Sequence, residues 1–248
     1  MLRPTMFLWL IAGMLSATTA QTDYTQFLVA NLRPEPDKIA AFEAGLAAHN
    51  KKYHTADPYK AWVWSVQTGP GSGSYDYVMG PVTLAQMDAR TTTPEHDADW
   101  NNNVLAHCDE LGETNYWRWD PDIHYMPEGA SNFSKSRLRF VTIRPGQADR
   151  YEEQIKKIVE VFKQKKYSVG YNVYWRFGVS QGPHAVIGLD LAKWADLDNE
   201  DTFVADFNSI HGAGAFDRFL EELDIAIDMS KTYDTLTEFM PALSSDDN

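Results

Sequence analysis

An ordered set of near-repeats, spaced by about 110 residues, constrains this chain more than any other feature. Gln26–Pro34 reads QFLVANLRP, and residues 137–145 read RLRFVTIRP. Lys51-Lys52-Tyr53 recurs as Lys165-Lys166-Tyr167, and Val78-Met79-Gly80 as Val186-Ile187-Gly188. Leu84-Ala85-Gln86-Met87 corresponds to Leu191-Ala192-Lys193-Trp194, and Asp99-Trp100-Asn101 to Asp206-Phe207-Asn208. Both halves close alike, on Tyr125-Met126-Pro127 and Phe239-Met240-Pro241. Landmarks that keep one order and nearly one spacing predict a unit used twice.

Within each half the hydrophobic periods predict β-α-β-β-α-β. The first strand is expected over 24–32 and again over 138–143, each stopped by Arg-Pro. A helix follows, over 37–52 and 148–166. In the second copy Tyr151, Ile155, Ile158, Val159 and Phe162 fall on one stripe, and in the first copy Ile39, Phe42 and Leu46 do. A hairpin turns through Gly69-Pro70-Gly71-Ser72-Gly73-Ser74, and its counterpart through residues 180–183. A second helix is expected over 98–111 and 202–227, and a last strand over 116–125 and 232–239. The organisation that results is a signal peptide (1–20), repeat one (21–127), a polar linker (128–136), repeat two (137–241) and a frayed acidic tail (242–248).

This order is that of the ferredoxin-like split βαβ, an α+β unit. Two such units in tandem resemble the dimeric α/β-barrel superfamily as an intramolecular pseudo-dimer. The resemblance covers the chain after residue 20 and rests on topology and repetition. It implies two sheets packed by their helix-free faces. The superfamily includes small cofactor-free monooxygenases, NIPSNAP-like proteins, and the haem-binding chlorite dismutases and dye-decolorising peroxidases, so the fold alone selects no activity. In chlorite-dismutase-like proteins an axial haem histidine sits on a helix of the second repeat. His211, in Asn208-Ser209-Ile210-His211-Gly212-Ala213-Gly214, lies in the comparable region. The plainer reading of that segment is a helix break at the two glycines.

The chain opens with Arg3, an apolar run over 6–15 and small residues before Gln21. This pattern predicts a cleaved secretory signal and export to a periplasmic or extracellular space. The run spans only about 15 Å as a helix, too short for a bilayer, so no membrane insertion is expected after cleavage. The formal charge is −13, and the signal carries away a cation but no acid. Such a surface repels nucleic acid and anionic membrane. The single cysteine, Cys108, excludes an internal disulfide and reads as a half-buried thiol on a helix. The oligomeric state is left open.

Alternation along the central strands separates two faces. Val173, Trp175, Phe177 and Val179 form an apolar set suited to burial under helices. Asn172, Tyr174, Arg176 and Gly178 share the opposite face, as do Trp62, Trp64 and Val66 in the first half. Trp117 and Trp119 alternate with Arg118 on the last strand of that half. An aromatic interior with a few polar groups has the composition of a small-molecule site, so Trp62, Trp64, Trp117, Trp119, Tyr174 and Arg176 are the candidate ligand-binding residues. The same aromatics would also serve simply as core between two sheets.

No nucleophile elbow, phosphate loop or zincin helix is present. The seven histidines form no metal motif with their neighbours: His49 and His54 are poorly spaced across a helix end, and His96 stands with Asp97 and Asp99 in an acidic segment. The sequence therefore predicts no metal site and no cofactor, with haem at His211 as the alternative. Three functions compete. One is an exported module binding a small apolar or aromatic ligand between its sheets. Another is a cofactor-free oxygenase or haem enzyme. The third is a structural or partner-binding protein without a small-molecule site.

Overall fold

The structure, a computed structural model, describes residues 26–129, 133–178 and 182–246. The expected signal peptide (1–20), the centre of the linker, Val179 and the last two residues of the chain lie outside the described residues. The elements run β1 (Gln26–Pro34), α1 (Ile39–Tyr53), β2 (Ala61–Val66), β3 (Tyr75–Val82), α2 (Leu84–Ala89), α3 (Pro94–Asn103) and β4 (Cys108–Tyr125). They continue β5 (Lys135–Val141), α4 (Ala148–Lys165), β6 (Gly170–Arg176), β7 (Ala185–Leu191), α5 (Phe203–His211), α6 (Ala215–Ala226) and β8 (Tyr233–Phe239).

All eight strands are antiparallel and close into one barrel in the order β1-β3-β2-β8-β5-β7-β6-β4, with β4 returning to β1. The helix-free faces of both halves look onto one interior, as expected, and the two sheets also join along their edges. Each four-strand half would leave two unpaired edges, and backbone donors on such edges seek partners. The edges find each other instead. One seam pairs Trp64 with Phe239, Ser65 with Glu238 and Val66 with Thr237. The other pairs Trp117 with Arg176, Arg118 with Trp175 and Trp119 with Tyr174. Both halves have the same strand order, the last strand beside the first, then the third, then the second.

The helices lie outside the barrel, where strand alternation puts the smooth apolar rows. Ala61 and Val63 of β2 and Tyr75, Tyr77 and Met79 of β3 pack with Phe42 and Leu46 of α1. Val173 of β6 and Ile187 of β7 pack with Tyr151, Ile155, Val159 and Phe162 of α4, the stripe that the period of α4 predicts. Ile39 departs from its expected stripe and is exposed, because it begins α1 beyond the rim of this core.

Three expectations are corrected outside the barrel. The helix expected over 98–111 starts earlier, because the Thr93 hydroxyl caps α3 by accepting from the His96 N–H (3.2 Å) and Pro94 fits the first turn. Cys108 therefore begins β4 rather than riding a helix, and burial pushes its thiol up to about 11. The helix expected over 202–227 is two helices, α5 and α6, broken at Gly212 and Gly214, whose φ of 98° and 68° suit glycine. The tail expected to fray from Ala242 is docked as far as Ser245. Ser244 and Ser245 are buried, and their hydroxyls accept from the Val63 and Ala61 N–H groups at 2.9 Å each. β8 pairs with β2 only from Trp64 onward, so these donors would otherwise be orphaned.

Candidate functional site in the barrel interior

A cavity of about 570 Å³ occupies the barrel, and wherever a strand gives the wall more than one residue they repeat with period two. Phe27, Val29 and Asn31 come from β1, Trp62, Trp64 and Val66 from β2, and Asp76 and Val78 from β3. Trp117 comes from β4, while β5 supplies Ser136, Leu138 and Phe140. Tyr174 comes from β6, Val186, Gly188 and Asp190 from β7, and Tyr233, Thr235 and Thr237 from β8. The aromatic rings are mutually braced: Phe27 meets Tyr174 edge-on at 5.9 Å, Phe140 stacks on Tyr233 at 4.9 Å, and Trp117 faces Phe140 at 6.4 Å. Rings held by their neighbours present a preformed apolar surface.

Polar groups collect toward the two ends. At one end Asp76 accepts from the Asn31 amide (2.8 Å), which also donates to the Ser74 hydroxyl (2.7 Å). At the other, Asp190 accepts from the Asn172 amide (2.7 Å) and the Ser136 hydroxyl (3.2 Å). Enclosure by protein raises the pKa of both carboxyls, and the donated hydrogen bonds oppose that rise. Both carboxyls line the cavity. Burial likewise pushes the Tyr174 phenol far above its usual range. Nothing in a single strand pattern singles out Asp76 or Asp190. Their inward register was the available signal, two residues from Val78 and from Gly188.

The candidate residues divide three ways. Trp62, Trp64, Trp117 and Tyr174 come together on the cavity wall. Trp119 stands behind it: its indole N–H donates to Asn172 (3.0 Å), and its ring packs on His124 at 4.8 Å. Arg176 closes the end near Asp76, with its guanidinium on Asn115 and on Glu113 (3.0 Å), both wall residues, and over the Trp117 ring at 5.8 Å. Hydrogen bonds from Asn115 and then Arg176 hold the Glu113 carboxyl low. On the other face Val173 and Trp175 turn to the helices, where Trp175 meets the Tyr151 ring at 6.2 Å. Phe177 leaves that buried set, being 47% exposed past the end of β6.

His211 is not brought to the cavity. It sits at the end of α5 against α4, with Nε2 at 3.1 Å from the Lys157 carbonyl and the ring 4.5 Å from Phe207. Among the described residues the wall offers no imidazole, thiolate or thioether, and burial raises the pKa of its phenols, Tyr174 and Tyr233, away from the phenolate that can hold haem iron. The wall does not fit haem. Elsewhere the fold brings together three histidines that stand apart in the sequence. His49, His54 and His96 converge outside the barrel, each offering one nitrogen within 4.8 Å of the others. His54 leaves α1 just past its end, so the five-residue spacing is not that of a continuous helix, and α3 carries His96 across. Burial, the largest cause, lowers the pKa of both His49 and His54.

No protein-family model and no curated protein matches the chain. Solved structures do match its fold. Chlorite dismutase from Candidatus Nitrospira defluvii superposes with a TM-score of 0.57 at 8% identity, covering 89% of this chain and 93% of that one. The shared fold is the dimeric α/β barrel. A protein assigned as a monooxygenase from Fusobacterium nucleatum gives 0.55 at 13% identity, covering 88% of this chain and 94% of its own. A heme-binding protein from Thermus thermophilus gives 0.52 at 11%, covering 88% and 92%. At such identities this dimeric α/β barrel shares architecture with these proteins and no more.

Proposed function

We propose that this dimeric α/β barrel is an exported module that holds a small, flat, mainly aromatic molecule inside its barrel. The aromatic and aliphatic middle of the cavity, with polar groups confined toward the ends, carries the reading. Trp62, Trp64, Trp117 and Tyr174 are its ring-binding surface, with Arg176 and Trp119 bracing the ends. Two enclosed carboxyls and a cation already tied to Glu113 favour a neutral ligand bearing hydrogen-bond donors over an anionic one. The matched landmarks and equal strand orders support an origin by duplication of one ferredoxin-like unit. The charged, short apolar start supports secretion.

Tryptophan fluorescence tests the reading, because Trp62, Trp64 and Trp117 face the cavity. Neutral polycyclic and polyphenolic probes should quench it saturably. Leu138→Trp, which fills the centre of the wall, should abolish that response while the fold persists. Quenching that survives Leu138→Trp unchanged would place binding elsewhere.

A second reading has its own observation. Asp76 and Asp190 are enclosed carboxyls whose raised pKa makes each carboxylate a stronger base, as proton abstraction needs. On this reading the barrel removes a proton from a bound phenol or activated carbon, as a step in oxygenase-type chemistry. Turnover lost in Asp190→Asn with ligand binding retained would favour it over simple carriage.

A further inference from the structure

We propose that His49, His54 and His96 form a binding site for one divalent ion of the zinc class, which staples α1 and α3 to the outside of the barrel. His49 is fully buried, and its Nδ1 is 2.8 Å from Asp99. Its Nε2 has no hydrogen-bond partner, an orphaned polar atom in the interior. His54 turns Nδ1 to the Tyr59 carbonyl (2.7 Å), and His96 turns Nδ1 to Asp97 (3.0 Å). In all three rings an oxygen acceptor fixes the proton on Nδ1 and leaves the lone pair on Nε2. This is how second-shell acceptors orient metal-binding histidines. The Asp99 carboxylate is itself steadied by the Asn103 amide (2.8 Å).

The scaffold explains why the rings meet. α1 and α3 run antiparallel in close contact, with the Tyr53 hydroxyl donating to the Glu95 carbonyl at 3.3 Å. At the other end of the pair Gly45 lies against the Asn103 backbone so tightly that a Cβ would stand 1.8 Å from its carbonyl oxygen. Ring centroids of 4.9 Å for His49–His96, 5.3 Å for His49–His54 and 5.7 Å for His54–His96 enclose a small space. Trp100 and Tyr53 flank His49 at 5.0 and 4.9 Å. The Tyr77 hydroxyl, 3.1 Å from His54 Nε2, is an oxygen within reach of a fourth position. Tetrahedral zinc at ~2.05 Å from nitrogen sets ligand atoms roughly 3.3 Å apart, so binding draws the rings inward and displaces Tyr77 from His54. Imidazole donors suit zinc, cobalt, nickel and copper and not magnesium or calcium. Tyr77 points outward from β3, whereas Asp76 and Val78 face the cavity, so the ion and a barrel ligand would sit on opposite sides of one strand.

Protein purified without its signal segment, stripped with chelator and dialysed, should take up one equivalent of Zn2+ in competition with a chromophoric chelator. Co2+ should produce the visible absorption of a tetrahedral nitrogen site, and Zn2+ should raise the thermal midpoint saturably. His96 is the least buried of the three, and His96→Ala should weaken Zn2+ binding at least tenfold while the metal-free protein keeps its midpoint. Asp99→Asn, a positioning change, should weaken it about 10- to 100-fold. Mg2+ should give none of these responses. Wild-type protein that takes up no stoichiometric Zn2+, or His96→Ala that binds as tightly as wild type, would overturn the proposal.

Discussion

Asp76 and Asp190 show how single residues set the character of the interior. Their pKa values are raised on folding, first by enclosure, so the folded state holds protons more tightly than the unfolded chain. Where the unfolded chain has released the proton and the folded protein has not, stability falls as pH rises. The loss accrues from the ordinary carboxylate range up through the folded values, at about 1.4 kcal/mol per unit of displacement. Asp76→Asn and Asp190→Asn should remove this loss. Denaturant titration should therefore find each variant gaining on wild type as pH rises from 3 to 7, with the difference shrinking at the acid end. A constant difference across the range would mean that these carboxyls are ordinary. Arg176 makes the complementary point. Its alternation with Tyr174 was legible, but its pairing with Glu113 and Asn115 depends on β4 lying beside β6, which no local pattern states.

Among the elements, α1 and α3 depend on Gly45. Any side chain there meets the Asn103 carbonyl, so Gly45→Ala should force the helices apart and cost about 1–3 kcal/mol, measured by chemical denaturation. The docked tail makes a second prediction. Ser245 accepts from the Ala61 N–H and donates to the His54 carbonyl (2.6 Å). Ser245→Ala would leave a buried donor and a buried acceptor unpaired and should cost about 1–3 kcal/mol by the same measurement. Exposed serines in a frayed tail would show no change. The elements themselves were mostly readable. The stripe of α4 and the Gly-rich turn after β2 stand where period and turn chemistry put them. The misread elements, α3 and the α5–α6 pair, are those whose boundaries depend on a cap or a glycine pair rather than on a long apolar stripe.

Across the whole molecule, closure decides the site. Each half alone would expose the outer edges of its sheet, so residues 21–134 produced by themselves should self-associate through the β2 and β4 edges. Light scattering should show a dimer or larger species, and adding residues 135–248 should displace it into a one-to-one complex. A stable monomeric half would mean that the seams contribute little. Closure also turns the inward rows of all eight strands into one wall, so a cavity of about 570 Å³ belongs to the barrel and to neither half alone.

The amino-acid order alone determined the repeated strand and helix pattern and the sidedness of β2 and β6, because these follow from periods of 2 and 3.6 along neighbouring residues. It placed Trp62, Trp64 and Tyr174 on the inward face for the same reason. Only the tertiary structure decided that the sheets join by their edges, that His211 faces Lys157 rather than the cavity, and that His49, His54 and His96 meet. Those outcomes rest on contacts between segments far apart in the chain. Long-range pairing is set by which surfaces close and which backbone donors find partners, and no local period encodes it.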